Sequence, residues 1–174
     1  ASKAMKMKKV ISIVVPAYNE EERLPASLKK IIDHMASMEE RYELIVVDDG
    51  SKDNTAQVAG SFEGVRVLKN GKNRGKGYSV KKGLLEAKGD YALFCDADLS
   101  TPIEELDKFL QYTADYDIII GSRNLKDAVI ETKQPFFRSI LGKTFPIIVN
   151  MLVLKGITDT QCGFKLFKRD TVKD

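Results

Sequence analysis

Short apolar runs alternate with amphipathic stretches along most of this 174-residue chain. The β-branched run 10–15 stops at Pro16 and predicts a first strand. Leu24, Leu28, Ile31, Ile32, Met35 and Met38 recur at helical spacing, which predicts an amphipathic helix over 21–38. Residues 44–47 predict a second strand that runs into Asp48-Asp49-Gly50-Ser51, followed by a short helix around 54–59 and a third strand near 65–68. The stretch 70–77 reads as a basic, glycine-rich loop, and a helix follows to about Lys88. Residues 91–95 predict a fourth, buried strand, 103–112 a helix and 118–120 a fifth strand. Thr101 as cap, Pro102 at the first helical position and Glu104 in a capping box open the 103–112 helix. Strand and helix alternate throughout, so the expected fold class is α/β, a mainly parallel open sheet with helices on both faces.

Residues 134–154 break the alternation. Phe136, Phe137, Ile140, Leu141, Phe145 and the run 147–154 are interrupted by Arg138, Lys143, Pro146 and Asn150. A membrane-spanning helix needs roughly 20 consecutive apolar residues. The uncharged run 144–154 is about half that, and Pro146 would kink it. The segment is therefore a core helix or an amphipathic element lying in a membrane interface, and the residues alone favour core.

Composition narrows the class. A chain that is 43% hydrophobic and 30% charged is one globular domain with a real core. A net charge of +3 argues against a dedicated nucleic-acid binder, although lysines and arginines cluster over 3–9 and 69–82. Cys95 and Cys162 make no disulfide framework, and their apolar surroundings fit a reducing compartment. The run 10–15 is too short for a signal peptide. The expected division is 1–9 as a basic amino-terminal tail or an appended remnant, and 10–174 as the folded domain, cut short at its carboxyl end.

The polar chemistry sits at three strand ends: Pro16-Ala17-Tyr18-Asn19-Glu20, Asp48-Asp49-Gly50-Ser51 and Asp96-Ala97-Asp98. In a parallel sheet these loops share one edge, where open α/β sheets bind ligands. Asp96 and Asp98 repel each other unless a cation or proton lies between them, and a hard divalent cation bridging them to a diphosphate answers that repulsion. Arg74, Lys76 and the glycines at 71, 75 and 77 supply opposite charge for phosphates. Plainer roles exist for each: Asp48 or Asp49 in an Asx turn, Glu20 charging a helix start, Asp96 and Asp98 in an acidic helix entry. The 71–77 loop is one residue short of a P-loop, and Gly77 stands where Ser or Thr is required. Asp96-x-Asp98-x-Ser100 imitates a phosphotransfer motif that belongs on a first strand, whereas three strands precede it here. His34, between the apolar positions of its helix, is expected to be exposed, which leaves no candidate catalytic histidine.

Six stretches occur in a telling order: Val-Val-Pro-Ala-Tyr-Asn-Glu (14–20), Val-Val-Asp-Asp-Gly-Ser (46–51), Asn-Arg-Gly-Lys-Gly (73–77), Asp-Ala-Asp (96–98), Gly-Ser-Arg (121–123) and Asp-Thr-Gln-Cys-Gly-Phe-Lys-Leu-Phe (159–167). Together they resemble the inverting family-2 glycosyltransferases of the GT-A fold, and among these the enzymes acting on polyprenyl phosphates, of the dolichyl-phosphate β-glucosyltransferase and mannose synthase types. The resemblance runs from about residue 10 to 168. It implies a catalytic domain over 10–174 in which Pro16, Ala17, Tyr18, Glu20, Asp48 and Ala97 hold the nucleotide, with Gly75 and Lys76 closing over it. It implies that Asp96 faces ribose and metal, that Asp98 ligates Mg2+ or Mn2+, and that Arg123 and Arg138 grip the acceptor phosphate. Asp159 would lie near the reacting carbon. Ser100 stands where relatives carry a metal-contacting Gln and is left out of the metal shell.

The implied reaction moves a hexose, glucose from UDP-glucose by preference, onto a polyprenyl phosphate with inversion. A phosphate monoester has a second pKa of about 6, so this nucleophile is ionised without a base. The absent histidine then costs nothing, whereas a sugar-hydroxyl acceptor would need a base, for which Asp159 is the candidate. The implied partners are a nucleotide-sugar donor, a polyprenyl-phosphate lipid and the cytoplasmic surface of a membrane, with 134–154 as the interfacial element. A homo-oligomer stays open. Two alternatives stand beside this: a soluble family-2 transferase with a sugar-hydroxyl acceptor, and a nucleotide-binding fragment without turnover.

Overall fold

The apolar runs do become a sheet with two covered faces. The computed structural model describes residues 9–38, 40–121 and 162–173. Its strands are β1 (Val10–Ala17), β2 (Arg41–Asp48), β3 (Val65–Lys69), β4 (Tyr91–Cys95), β5 (Ile118–Ile120) and β6 (Phe164–Lys168). Its helices are α1 (Leu24–Ser37), α2 (Thr55–Gly60), α3 (Lys76–Glu86), α4 (Glu105–Gln111) and α5 (Arg169–Lys173). The sheet order is β3-β2-β1-β4-β6-β5. The first four strands pair in parallel, whereas β6 runs antiparallel to both β4 and β5.

All of β4 and most of β1 and β2 are buried, as a parallel strand covered on both sides must be. On one face Ile11, Ile13, Val15, Leu44 and Val46 pack with Leu24, Leu28, Ile31 and Met35 of α1 and with Leu106 and Phe109 of α4. Val14, Ile45 and Val47 form a smaller cluster on the other face with Leu84 of α3. There α3 lies so close that a Cβ on Gly83 would fall 2.2 Å from Val14 Cγ1 and 3.0 Å from Val47 Cγ2. Overpacking a buried contact costs about 1–3 kcal/mol, more than the helix propensity gained. Gly83→Ala is therefore expected to lower the urea midpoint at unchanged m-value.

Several expected details change. α1 begins at Leu24 rather than 21, because the Glu20 carbonyl accepts the Arg23 and Leu24 amides (3.1 and 2.8 Å) in a turn and a proline sits in the first helical turn. α3 begins at Lys76, so Lys76 and Gly77 belong to a helix and the basic loop ends at Gly75. The capping box before α4 does not form: the helix starts at Glu105, beyond reach of Thr101, whose hydroxyl lies 4.0 Å from Cys162 Sγ. His34 is not simply exposed, since its Nε2 sits 2.9 Å from Asp107 Oδ1 and ties α1 to α4. Both cysteines are buried, and burial first, then the adjacent Asp96 charge, pushes the Cys95 thiol pKa far up. The segment 134–154 lies outside the described residues.

Candidate active site

Strand order reverses between β1 and β4, and the parallel strands β1, β2 and β4 all end on the same side. A crevice at such a reversal is where an open α/β sheet receives a ligand. Pro16 and Ala17 close β1 as buried residues, while Tyr18 is 39% exposed. Asn19 takes a positive φ of 52°, which Asn tolerates better than most residues. Its amide donates to Ser51 Oγ (3.0 Å) and its Oδ1 accepts the Lys52 amide (2.9 Å), which stitches the loop after β1 to the loop after β2. The Glu20 amide donates to Thr55 Oγ1 (2.8 Å), and its carboxylate takes two bonds from the Arg23 guanidinium, at 2.8 and 2.9 Å.

Asp48 and Asp49 are both buried, and they do different work. Asp48 Oδ1 accepts the Ser51 amide (3.2 Å), the turn role open to it from sequence. Asp49 anchors the basic loop: Oδ1 accepts Asn70 Nδ2 (2.7 Å) and the Arg74 amide (2.9 Å), and Oδ2 accepts the Gly75 amide (2.8 Å). Burial alone would raise its pKa, but these bonds and one from Ser79 outweigh it and hold the carboxyl below its ordinary value. Gly50 makes the approach feasible: its φ is +72°, and a Cβ there would fall 2.4 Å from the Lys72 carbonyl carbon.

The loop so held delivers Lys76 to the end of β4. Lys76 Nζ lies 2.6 Å from Asp96 Oδ1 and 5.5 Å from the centroid of the Phe94 ring. Behind Asp96 stands Gly163, whose carbonyl accepts the Asp96 amide (3.0 Å). A Cβ on Gly163 would fall 1.8 Å from Asp96 Oδ2. Ala97 is buried, Asp98 is exposed, and Asp98 Oδ1 accepts the Ser100 amide (3.0 Å). Leu99 between them has φ 47°, a strained value for an aliphatic residue, and its amide donates to the Asp96 carbonyl (3.0 Å). The turn thus spends strain to project two carboxylates at the mouth of the crevice.

The structure brings Gly75, Lys76 and Asp96 together, with Ala97 and Asp98 alongside in the same turn. Among the described residues no hydrogen bond or ion pair joins Glu20, Asp48 and Asp98 to one another. Arg123, Arg138 and Asp159 lie outside the described residues. Sequence reasoning missed the anchoring part of Asp49 and, although Gly163 stands in the 159–167 motif, its place behind Asp96, since neither contact shows in spacing. Among the described residues no three His, Cys, Asp or Glu side chains form a ready cage for a metal. Asp96 and Asp98 still fit a Mg2+- or Mn2+-type ion, which takes one or two carboxylates and completes its shell with water and substrate phosphates.

Residues 12–174 match the description Glycosyl transferase family 2. The chain is similar to dolichyl-phosphate β-glucosyltransferases from Dictyostelium discoideum (41% identity over 94% of this chain and 55% of that protein), Homo sapiens (38%, 93% and 56%) and Saccharomyces cerevisiae (32%, 93% and 55%). It spans about half the length of these curated relatives. Among solved structures it resembles mannosyl-3-phosphoglycerate synthase from Rubrobacter xylanophilus, with TM-score 0.70 at 20% identity over 93% of this chain and 54% of that one. It also resembles glucosyl-3-phosphoglycerate synthase from Mycobacterium tuberculosis in complex with Mn2+, UDP-glucose and phosphoglyceric acid, with TM-score 0.67 at 21% identity over 93% and 57%. These neighbours establish the GT-A fold, and the six-stranded, mostly parallel sheet agrees with the class read from the sequence.

Proposed function

The chain belongs to glycosyl transferase family 2, and from that premise we propose that it is the GT-A catalytic domain, over 10–174, of an enzyme that moves glucose from UDP-glucose to a dolichyl or other polyprenyl phosphate with inversion. The observation that carries the proposal is the convergence of a basic loop and an acidic turn. Asp49, after β2, fixes loop 70–75, and Lys76 at its end reaches Asp96 after β4. Opposite charges on two separate strand ends suit a ligand with a diphosphate on one side and hydroxyls on the other.

In this reading Pro16, Ala17, Tyr18, Glu20, Asp48 and Ala97 line the base and ribose, and Gly75 and Lys76 close over the diphosphate. Asp98 and Asp96 would hold Mg2+ or Mn2+. When bound, the ion supplies positive charge where the leaving diphosphate develops its negative charge. The chain's own residues do the rest. Lys76, carried on the first turn of α3, adds a second positive charge on the same side, and Arg123 and Arg138 orient the acceptor phosphate. An ionised phosphate oxygen attacks the anomeric carbon opposite the diphosphate, the C–O bond to the diphosphate breaks, and no proton needs removing. Asp159 then steers the acceptor rather than acting as a base. The preference for glucose over mannose rests on the dolichyl-phosphate β-glucosyltransferase relatives, and the preference for a metal on neighbours solved with Mn2+. No described helix is long and apolar enough to cross a membrane. The proposed contact with the cytoplasmic face of a membrane would use 134–154 and the basic residues of 1–9.

Calorimetry with UDP-glucose, GDP-mannose and UDP-GlcNAc, with and without Mn2+, tests the donor. UDP-glucose is expected to bind tightest and only with the ion present. Asp98→Ala should erase the metal-dependent part while leaving the melting curve intact, because the side chain is exposed and only accepts one local amide. Metal-independent binding, or an unchanged Asp98→Ala variant, would overturn the metal assignment.

A further inference from the structure

The Asp96 carboxylate already has a cation. Lys76 Nζ stands 2.6 Å from Oδ1, and the Phe94 ring below it adds a face for the ammonium. Gly163 packs directly against the carboxylate, where a Cβ would fall 1.8 Å from Oδ2, and Lys76 covers Oδ1. The lysine is the accessible member: its side chain is 56% exposed, whereas that of Asp96 is 19% exposed and its Oδ1 is shielded from water. An ion pair in that setting is weak and exchanges readily. The backbone of the loop is anchored. The Arg74 and Gly75 amides are fixed by Asp49, and the Arg74 guanidinium lies 4.7 Å from the Tyr78 ring centroid. The mobile charge at this mouth is the lysine ammonium on its flexible stem.

We propose that Lys76 is an exchangeable counter-ion for Asp96. Its ammonium and an incoming divalent cation claim the same carboxylate, and a nucleotide diphosphate couples the two events by offering the ammonium a second anionic partner. The proposal rests on the reading of Asp96 as a metal-facing residue. Without nucleotide, the cation must displace Lys76 and binds weakly. With the diphosphate in the crevice, Lys76 turns from Asp96 to the phosphates, Asp96 is released to the metal, and each ligand tightens the other. By linkage the two enhancements are equal. Lys76 is thus a positioning residue whose contribution appears in the coupling between ligands as well as in either affinity.

The test is Mn2+ binding to the intact 174-residue chain, read by the electron-paramagnetic signal of free aqueous Mn2+, with and without saturating UDP. Lys76→Gln removes the ammonium, and Lys76→Arg keeps the charge. Lys76→Gln should bind Mn2+ alone about three- to fivefold tighter than the parent, the range an exposed ion pair supports. The factor by which UDP tightens Mn2+ should shrink correspondingly. Lys76→Arg should stay near the parent in both. Equal or weaker Mn2+ binding by Lys76→Gln in the absence of UDP overturns the counter-ion role while leaving the metal assignment standing. Absence of Mn2+ binding in parent and variants, with and without UDP, removes the metal assignment itself and this proposal with it.

Discussion

Replacing Gly163 by Ala is expected to cut the proposed glucosyl transfer about 100-fold, the scale of loss when reacting groups are displaced by roughly 1 Å. The added methyl would stand 1.8 Å from Asp96 Oδ2, 2.2 Å from Cγ and 2.5 Å from Oδ1. No rotation of the carboxylate clears all three, so either the Asp96 side chain swings away or the backbone of Gly163 withdraws. Withdrawal would strain the bond from the Asp96 amide to the Gly163 carbonyl and the pairing of Cys95 with Phe164 next to it. Movement of the side chain is the cheaper response, because it faces the crevice. The fold should therefore survive with a lowered melting temperature while the proposed turnover of UDP-glucose with a polyprenyl phosphate collapses and the proposed Mn2+ binding weakens. Steady-state rates alongside a melting curve check this. A variant that turns over like the parent would show that the position of Asp96 does not matter to the reaction.

The second large effect belongs to Asp49. Asp49→Ala leaves the Arg74 amide without its acceptor and takes one of two bonds from the Asn70 side-chain amide and from the Gly75 amide, which keep Ser79 Oγ and Asn73 Oδ1. An unsatisfied buried donor costs about 1–3 kcal/mol, so a loss of about 2 kcal/mol is expected, partly relieved where the loop opens to water. Out of a total stability of 5–15 kcal/mol typical of such domains, that is a large share. Loop 70–75 would detach from the strand ends, and donor binding should weaken with it because Lys76 loses its mooring. The sign of the pH effect follows from the depressed pKa. Asp49 contributes its stability above the ordinary aspartate pKa of about 4, and the contribution is lost as the pH falls through the lower folded value. Urea midpoints measured from neutral pH down to pH 3 should show the gap between the parent and Asp49→Asn narrowing toward acid. A gap that stays constant would mean that ionisation of Asp49 plays no part in holding the loop.

Much of this architecture is written along the chain because it depends on periodicity. Apolar runs of four to eight residues ending at Ala17, just before Asp48 and at Cys95 are buried strands whatever their neighbours, and the i, i+4, i+7, i+11 series from Leu24 to Met35 is one face of a helix. The acid-bearing strand ends stand in the same runs, whereas the family was reached through the resemblance of the six ordered motifs and is matched over 12–174. Helix starts were less legible. α4 starts at Glu105 after a turn and α1 at Leu24 with a proline in its first turn, and neither start carries the side-chain cap that a local motif would supply.

Sequence by itself determined the first five strands, the bodies of the four helices among them and which loops carry charge, since those depend on near neighbours. The tertiary structure alone decided which charges meet. It set β6 antiparallel beside β4 and so placed Gly163 behind Asp96. It turned Asp49 toward loop 70–75 and Lys76 toward Asp96, and it paired His34 with Asp107. Each of these contacts joins residues on different elements, and a contact of that kind follows from strand order and packing, which no local pattern encodes.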